Sequence, residues 1–171
     1  KEQVESLGGK FIMVEDEEST NAETEGGYAK EMSDEYKKKQ AKLIAETIAK
    51  QDIVICTALI PGKTAPVLIS QEMVESMASG SVVVDLAVEA GGNCPLSKIG
   101  QVIDHKGVKV IGYANVPGRV AKDASALYAK NIFNFLSLII NKDDKKINLN
   151  LEDEIVNAVL LTHEGKLRLE Q

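Results

Sequence analysis

The chain has 171 residues, of which 44% are hydrophobic and 27% charged, enough apolar material for a domain with a core. Its net charge of -6, with one basic run at Tyr36-Lys37-Lys38-Lys39 beside Glu31, Asp34 and Glu35, argues against a nucleic-acid partner, because phosphate binding needs clustered Lys and Arg. No apolar run reaches the roughly 18 residues of a membrane span, and the opening Lys1-Glu2-Gln3-Val4-Glu5 lacks the apolar segment of a secretory leader, so no direct membrane insertion is expected.

In chain order, residues 2–7 read as a helix end stopped by Gly8-Gly9, where glycine supplies the left-handed closing residue. Residues 11–14 read as a short buried strand. Residues 15–25 hold six acids and no base; such a segment buries nothing and is expected to be a solvent-facing loop, ending at Gly26-Gly27-Tyr28. Helical periodicity runs over 31–51, with Ser33 as N-cap. Residues 52–56 are an almost wholly apolar strand, the kind buried on both faces of a parallel sheet. After a turn at Leu59-Ile60-Pro61-Gly62, Ser70 caps a helix over 70–77 that Gly80 ends. Residues 81–85 form a second apolar strand ending in Asp85; a loop at Gly91-Gly92-Asn93-Cys94-Pro95 leads to a third strand over 108–112. Residues 123–140 are a long helix, and 141–146 a charged linker, with the periodicity changing at about Asn141. Residues 147–151 alternate like a half-exposed strand, and His163-Glu164-Gly165 signals a hairpin.

Strand, helix, strand, helix, strand is the order of a parallel α/β sheet with flanking helices, whose ligands lie at the strands' carboxyl ends. Those ends are 56–59, 85–87 and 112–117. A catalytic constellation is missing. His105 and His163 both sit in turns without a nucleophile beside them, and Ser125 and Ser137 lack the glycines of a hydrolase elbow. No catalytic residue is assigned. No metal is expected either, because the metal-ligand spacings are absent; Cys56 and Cys94 read as reduced thiols of an intracellular protein. A Gly-x-Gly-x-x-Gly turn is also absent, so the chain reads as half of a nucleotide-binding fold, lacking the first βαβ unit with its phosphate loop.

Longer ordered segments carry a resemblance. The segments 26–32, 38–41, 57–69, 84–96 and 115–117, followed by Arg119-Val120-Ala121 and Asp123-Ala124-Ser125, resemble the NAD(H)-binding component of proton-translocating transhydrogenases; alanine dehydrogenases share 85–92 and 115–117 more loosely. The resemblance covers Lys1 to about Asp153. It implies two Rossmann-like halves with NAD(H) in the cleft between them. Residues 1–122 would be the C-terminal part of the Rossmann-like subdomain. Residues 123–171 would be the returning helix and a small β segment of the other subdomain. The acidic segment through Gly26-Gly27-Tyr28 matches the family's mobile loop. By similarity the backbone at Gly27, the side chain of Gln40 and the backbone at Leu59 contact NAD, Tyr28 anchors the lid, and Asn115 is counted among the cofactor-binding residues. Asp85 and Asn93 are counted with them, open to two readings: orienting the cofactor amide, or holding neighbouring loops.

The family's glycine-rich loop, its acidic ribose residue and its Arg-Gln-Asp loop would all precede Lys1. Gly112-Tyr113-Ala114 stands where the family has Gly-His-Thr, and Gly118 where it has Ser. The implied reaction is hydride transfer between NAD(H) and NADP(H) on a partner domain, coupled elsewhere to proton translocation. The implied partners are an NADP(H)-binding domain, a membrane domain and a second copy in a homodimer. The implied location is the cytoplasmic side of a bacterial inner membrane, or the matrix side in mitochondria. The alternatives are an alanine dehydrogenase, or an inactive fragment of either enzyme.

Overall fold

The computed structural model describes residues 1–14 and 33–168. The acidic segment, with Gly27 and Tyr28, lies outside the described residues. The chain forms two compact units, Lys1–Ala114 and Asn115–Gln171.

The first unit opens with helix α1 (Glu2–Ser6), closed by backbone bonds to Gly8 and Gly9. Helix α2 (Asp34–Ile48) begins where expected: Ser33 Oγ accepts from Tyr36 N at 3.2 Å, satisfying a donor that a helix start leaves orphaned. Ser70 does the same for α3 (Gln71–Glu75) through Met73 N at 3.3 Å. The strands are β1 (Ile53–Cys56), β2 (Val82–Asp85), β3 (Gln101–His105) and β4 (Val108–Gly112). They form one sheet in the order β1-β2-β4-β3. β1, β2 and β4 are parallel, with Val54, Val83 and Val110 in register.

β3 departs from the sequence reading, which has no strand there. It pairs antiparallel to β4, Gln101 against Gly112 and His105 against Val108. The two are joined by Lys106 (φ 51°) and Gly107 (φ 85°), the two left-handed residues of a tight hairpin turn, with Asp104 Oδ1 accepting from Gly107 N at 3.0 Å. The turn is legible in the sequence; the strand before it is not, because an edge strand carrying Gln, Asp and His has no continuous apolar run. Residues 11–14 form no strand: they find no ladder partner among the described residues.

The core lies on one face of the sheet. Cys56, Val83, Val108 and Val110 pack with Ile48 of α2, Val74 of α3, and Ile69, Met77 and Cys94. On the other face of β1, Ile53 and Ile55 are 66% and 63% exposed, against the expectation of burial on both faces. The reason is that both helices contributing to this core supply it from the same side as Val54 and Cys56.

A polar clamp ties α3 to the β3–β4 turn. The Glu75 carboxylate accepts from Lys106 Nζ at 2.6 Å and from Gln71 Nε2 at 2.9 Å, and bonds His105 Nε2 at 2.8 Å. These partners, Lys106 foremost, then His105 and Gln71, hold its carboxyl at about 2, below the ordinary 4.5. A depressed carboxyl contributes stability that is complete above its unfolded value and lost as pH falls toward its folded one. The protein should therefore lose stability between about pH 4.5 and about pH 2 on this group's account. Urea unfolding at about pH 3 and about pH 7 checks it: Glu75→Gln should lose less on acidification than the unsubstituted protein, and an equal loss contradicts the assignment.

The second unit begins with α4 (Val116–Arg119), N-capped by Asn115, and α5 (Ala121–Ile139). α6 (Glu154–Val159), unforeseen in the sequence, is capped by Asp153 Oδ1, which accepts from Ile155 N and Val156 N, both at 3.0 Å. Its β-branched residues disguise a single short helix. The hairpin is where the sequence signals it: β5 (Thr162–His163) pairs with β6 (Lys166–Leu167) across Glu164 and Gly165, both at positive φ. Residues 147–151 are not a strand. Only Ile147 pairs, in an isolated bridge to Ile140, and Asn150 Oδ1 turns to accept from Glu152 N at 3.1 Å, a local bond that competes with a ladder.

Candidate functional site

The carboxyl ends of β1 and β2 lead into two long loops that meet. Beyond Cys56 the first loop runs to α3, and residues 59–64 together with Ala90 of the second line an open depression of about 630 Å³. Leu59 and Ile60 are 51% and 44% exposed. A turn bends the loop, with Lys63 N donating to Ile60 O at 3.1 Å and Gly62 at φ 71°. Apolar side chains and a glycine turn give a wall against which a flat ring can lie.

The second loop is organised by Asp85. Its side chain is fully buried, and its carboxylate accepts four donors. Ala87 N gives to Oδ1 at 3.0 Å; Asn93 N at 2.9 Å, Cys94 N at 3.1 Å and Ser97 Oγ at 2.6 Å give to Oδ2. A buried carboxylate is tolerable only with its lone pairs satisfied in this way. Gly92, at φ 84°, passes so close that a Cβ there would lie 2.8 Å from Asp85 Oδ2; one on Gly91, at φ 104°, would lie 2.8 Å from Thr64 Cγ2. The glycine pair thus lets one loop close on Asp85 and on the other loop.

Asn93, also fully buried, joins the loops. Its Oδ1 accepts from Ala58 N at 3.0 Å, and its Nδ2 donates to Ala58 O at 2.9 Å and to Pro66 O at 2.7 Å. Backbone bonds continue the junction: Ala65 N to Ala90 O, then Leu68 N and Ile69 N to Asn93 O.

Neither of the buried thiols, Cys56 and Cys94, lines the depression. Burial pushes the Cys56 thiol up to about 12, with the nearby Asp85 carboxylate and then Cys94 adding to it, and burial also raises Cys94. A thiol so far from ionising is a poor nucleophile.

Of the residues singled out in the sequence, Leu59 lines the depression. Asp85 and Asn93 do not line it: both are fully buried, their side-chain polar atoms bonded within the protein. Gln40 is half-buried on α2. Asn115 is exposed in the second unit, at φ 48°, capping α4 by accepting from Gly118 N at 3.2 Å. The roles of Ser97, Ala58 and Pro66 escape a reading of the sequence: Ser97 and Pro66 contribute one polar atom each and Ala58 two, to partners 12 to 35 residues away, and no local pattern marks that.

Residues 1–170 match the family described as Alanine dehydrogenase/PNT, C-terminal domain. The chain is 58% identical over 167 residues to the first of the separately named parts of the NAD(P) transhydrogenase subunit alpha of Rhodospirillum rubrum, covering 98% of this chain and 44% of that protein. It is similar to the crystal structure of transhydrogenase from Sinorhizobium meliloti, with 51% identity and a TM-score of 0.72, over 98% of this chain and 42% of that one. An alanine dehydrogenase of Methanococcus maripaludis is 34% identical over 134 residues, covering 74% of this chain and 35% of that protein. The chain spans less than half the length of these relatives. Family match, identity and fold agree: this chain belongs to the alanine dehydrogenase/PNT C-terminal domain family.

Proposed function

We propose that this chain is a portion of the NAD(H)-binding component of a transhydrogenase, which passes hydride between NAD(H) and NADP(H) held on a partner domain. The observation that carries the reading is the open depression at the carboxyl edge of parallel strands, in a chain 58% identical to a transhydrogenase alpha-subunit protein. The residues present fit a dinucleotide only partially: Leu59, Ile60 and the 62–64 turn offer an apolar wall with exposed backbone. The phosphate cradle is not among them, since no Gly-x-Gly-x-x-Gly turn occurs in the sequence. The bound nucleotide would supply the hydride chemistry itself, and the protein orientation and exclusion of water. This chain's task is then to hold a ring in place, which needs no nucleophile or general base.

Leu59 is the contact best supported by geometry. Gln40 and Asn115, and Gly27 and Tyr28 outside the described residues, enter through the resemblance alone. Asp85 and Asn93 act through the loops they hold. The same reading includes an NADP(H)-binding domain and a membrane domain as partners, pairing as a homodimer, proton coupling located elsewhere, and a place at the inner-membrane surface. Among the described residues no helix is long and apolar enough to cross a membrane.

Calorimetry of the intact protein with NADH, followed by hydride transfer to an NADP analogue on the partner domain, tests this. NADH binding with transfer is expected. Oxidative deamination of alanine in place of transfer would assign the protein to the dehydrogenase branch of the family, and no binding would remove the reading.

A further inference from the structure

The 58–66 loop has a problem that the sheet does not solve for it. The β1–β2 ladder ends at the pair Cys56 and Asp85, so beyond that point the loop has no strand beside it. Yet its middle, residues 59–64, forms the wall of the depression. A loop left free at this point would have to be ordered by each arriving ligand, at a cost in affinity.

Asn93 supplies the missing partner. Accepting from Ala58 N while donating to Ala58 O, its amide makes the two bonds that a neighbouring strand would make, and its second N–H reaches Pro66 O at 2.7 Å. The loop is thus pinned at its entry and at its exit, on either side of the residues that face the depression. Asn93 is itself held by Asp85, which accepts from its backbone N at 2.9 Å, and its side chain is fully buried. Few side chains can replace it: aspartate lacks both donors, leucine lacks donors and acceptor, and glutamine is one methylene longer.

We propose that Asn93 is a positioning residue of the nucleotide site, which sets the wall formed by residues 59–64 before ligand arrives by acting as a surrogate strand for Ala58 and Pro66. The proposal rests on the nucleotide-binding reading above and adds to it a residue that never touches the ligand.

Two measurements on the intact protein test it. In the ligand-free protein the Ala58 amide should exchange slowly with solvent, because Asn93 Oδ1 holds it; exchange at the rate of an open loop overturns the proposal without any substitution being made. Asn93→Ala, assayed by calorimetry at a temperature where circular dichroism shows it folded, should bind NADH about tenfold more weakly, with faster exchange confined to the loop amides. A purely structural residue would lower the unfolding temperature and leave the affinity of the folded protein alone, so affinity within about twofold of the unsubstituted protein overturns the proposal.

Should Asn93→Ala not fold, Asn93→Asp decides the matter. Its buried carboxyl, facing two carbonyls, will have a raised pKa, and only its protonated form can donate. Relative to the unsubstituted protein, its NADH affinity should recover as pH falls from about 8 to about 5.5; a pH-independent ratio near one contradicts the clamp. Failure of the unsubstituted protein to bind NADH overturns the functional reading and this proposal with it, whereas normal binding with an indifferent Asn93 overturns the proposal alone.

Discussion

Replacing Asp85 by alanine is expected to destabilise the protein by about 4 kcal/mol. The substitution removes one carboxylate and strands four donors: Ala87 N, Asn93 N, Cys94 N and Ser97 Oγ. Those donors surround a site with no solvent exposure. Each buried donor left without a partner costs about 1–3 kcal/mol, and the expected total takes the lower figure for each of the four. Asp85→Asn keeps the shape and one acceptor but aims an NH₂ at a portion of the same ring of donors, and should cost about 2 kcal/mol. Urea unfolding gives both values. A loss below about 1 kcal/mol for alanine would mean that the loop after β2 does not depend on this carboxylate. The order of the two substitutions matters as much as their size, because a role in shape alone would leave the asparagine variant near the unsubstituted protein.

Gly112→Ala is expected to cost about 3 kcal/mol, although it adds a single methyl group. Gly112 closes β4, is buried and has an ordinary φ, so conformational freedom is not what it provides. It provides proximity: the backbone of Lys98 crosses directly over it, and a Cβ at position 112 would overlap the Lys98 carbonyl. The crossing is fastened by Gly100 N donating to Gly112 O at 2.7 Å and by the pairing of Gln101 with Gly112. Backbone cannot swing aside as a side chain can, so relief requires β3 to shift along β4. Thermal unfolding together with amide exchange on β3 checks this. A variant as stable as the parent, with β3 protected, contradicts the close crossing. Gly100→Ala is a control of a different kind: a Cβ there meets nothing within 4 Å, and its φ of 74° leaves only backbone strain to register.

Much of the fold is written in local chemistry. Ser33 and Ser70 announce two helices because a hydroxyl before a helix start satisfies a backbone donor that has no partner within the helix. The apolar runs over 52–56, 81–85 and 108–112 declare strands, and His163-Glu164-Gly165 declares the hairpin, because side-chain volume and φ preference act within a few residues. The long resemblance declares the family for the same reason, residue by residue along the chain.

What the local pattern could not carry was decided by closure in space. Asp85 in sequence is open to two readings, a carboxylate that orients the cofactor or one that holds a loop; only the folding back of residues 87–97 makes it the buried hub of a loop. Asn93 meets Ala58 across 35 residues of chain, and β3 exists because β4 offers it an edge. A hydrogen bond over such a separation leaves no periodicity, since it depends on the path of everything between its two ends.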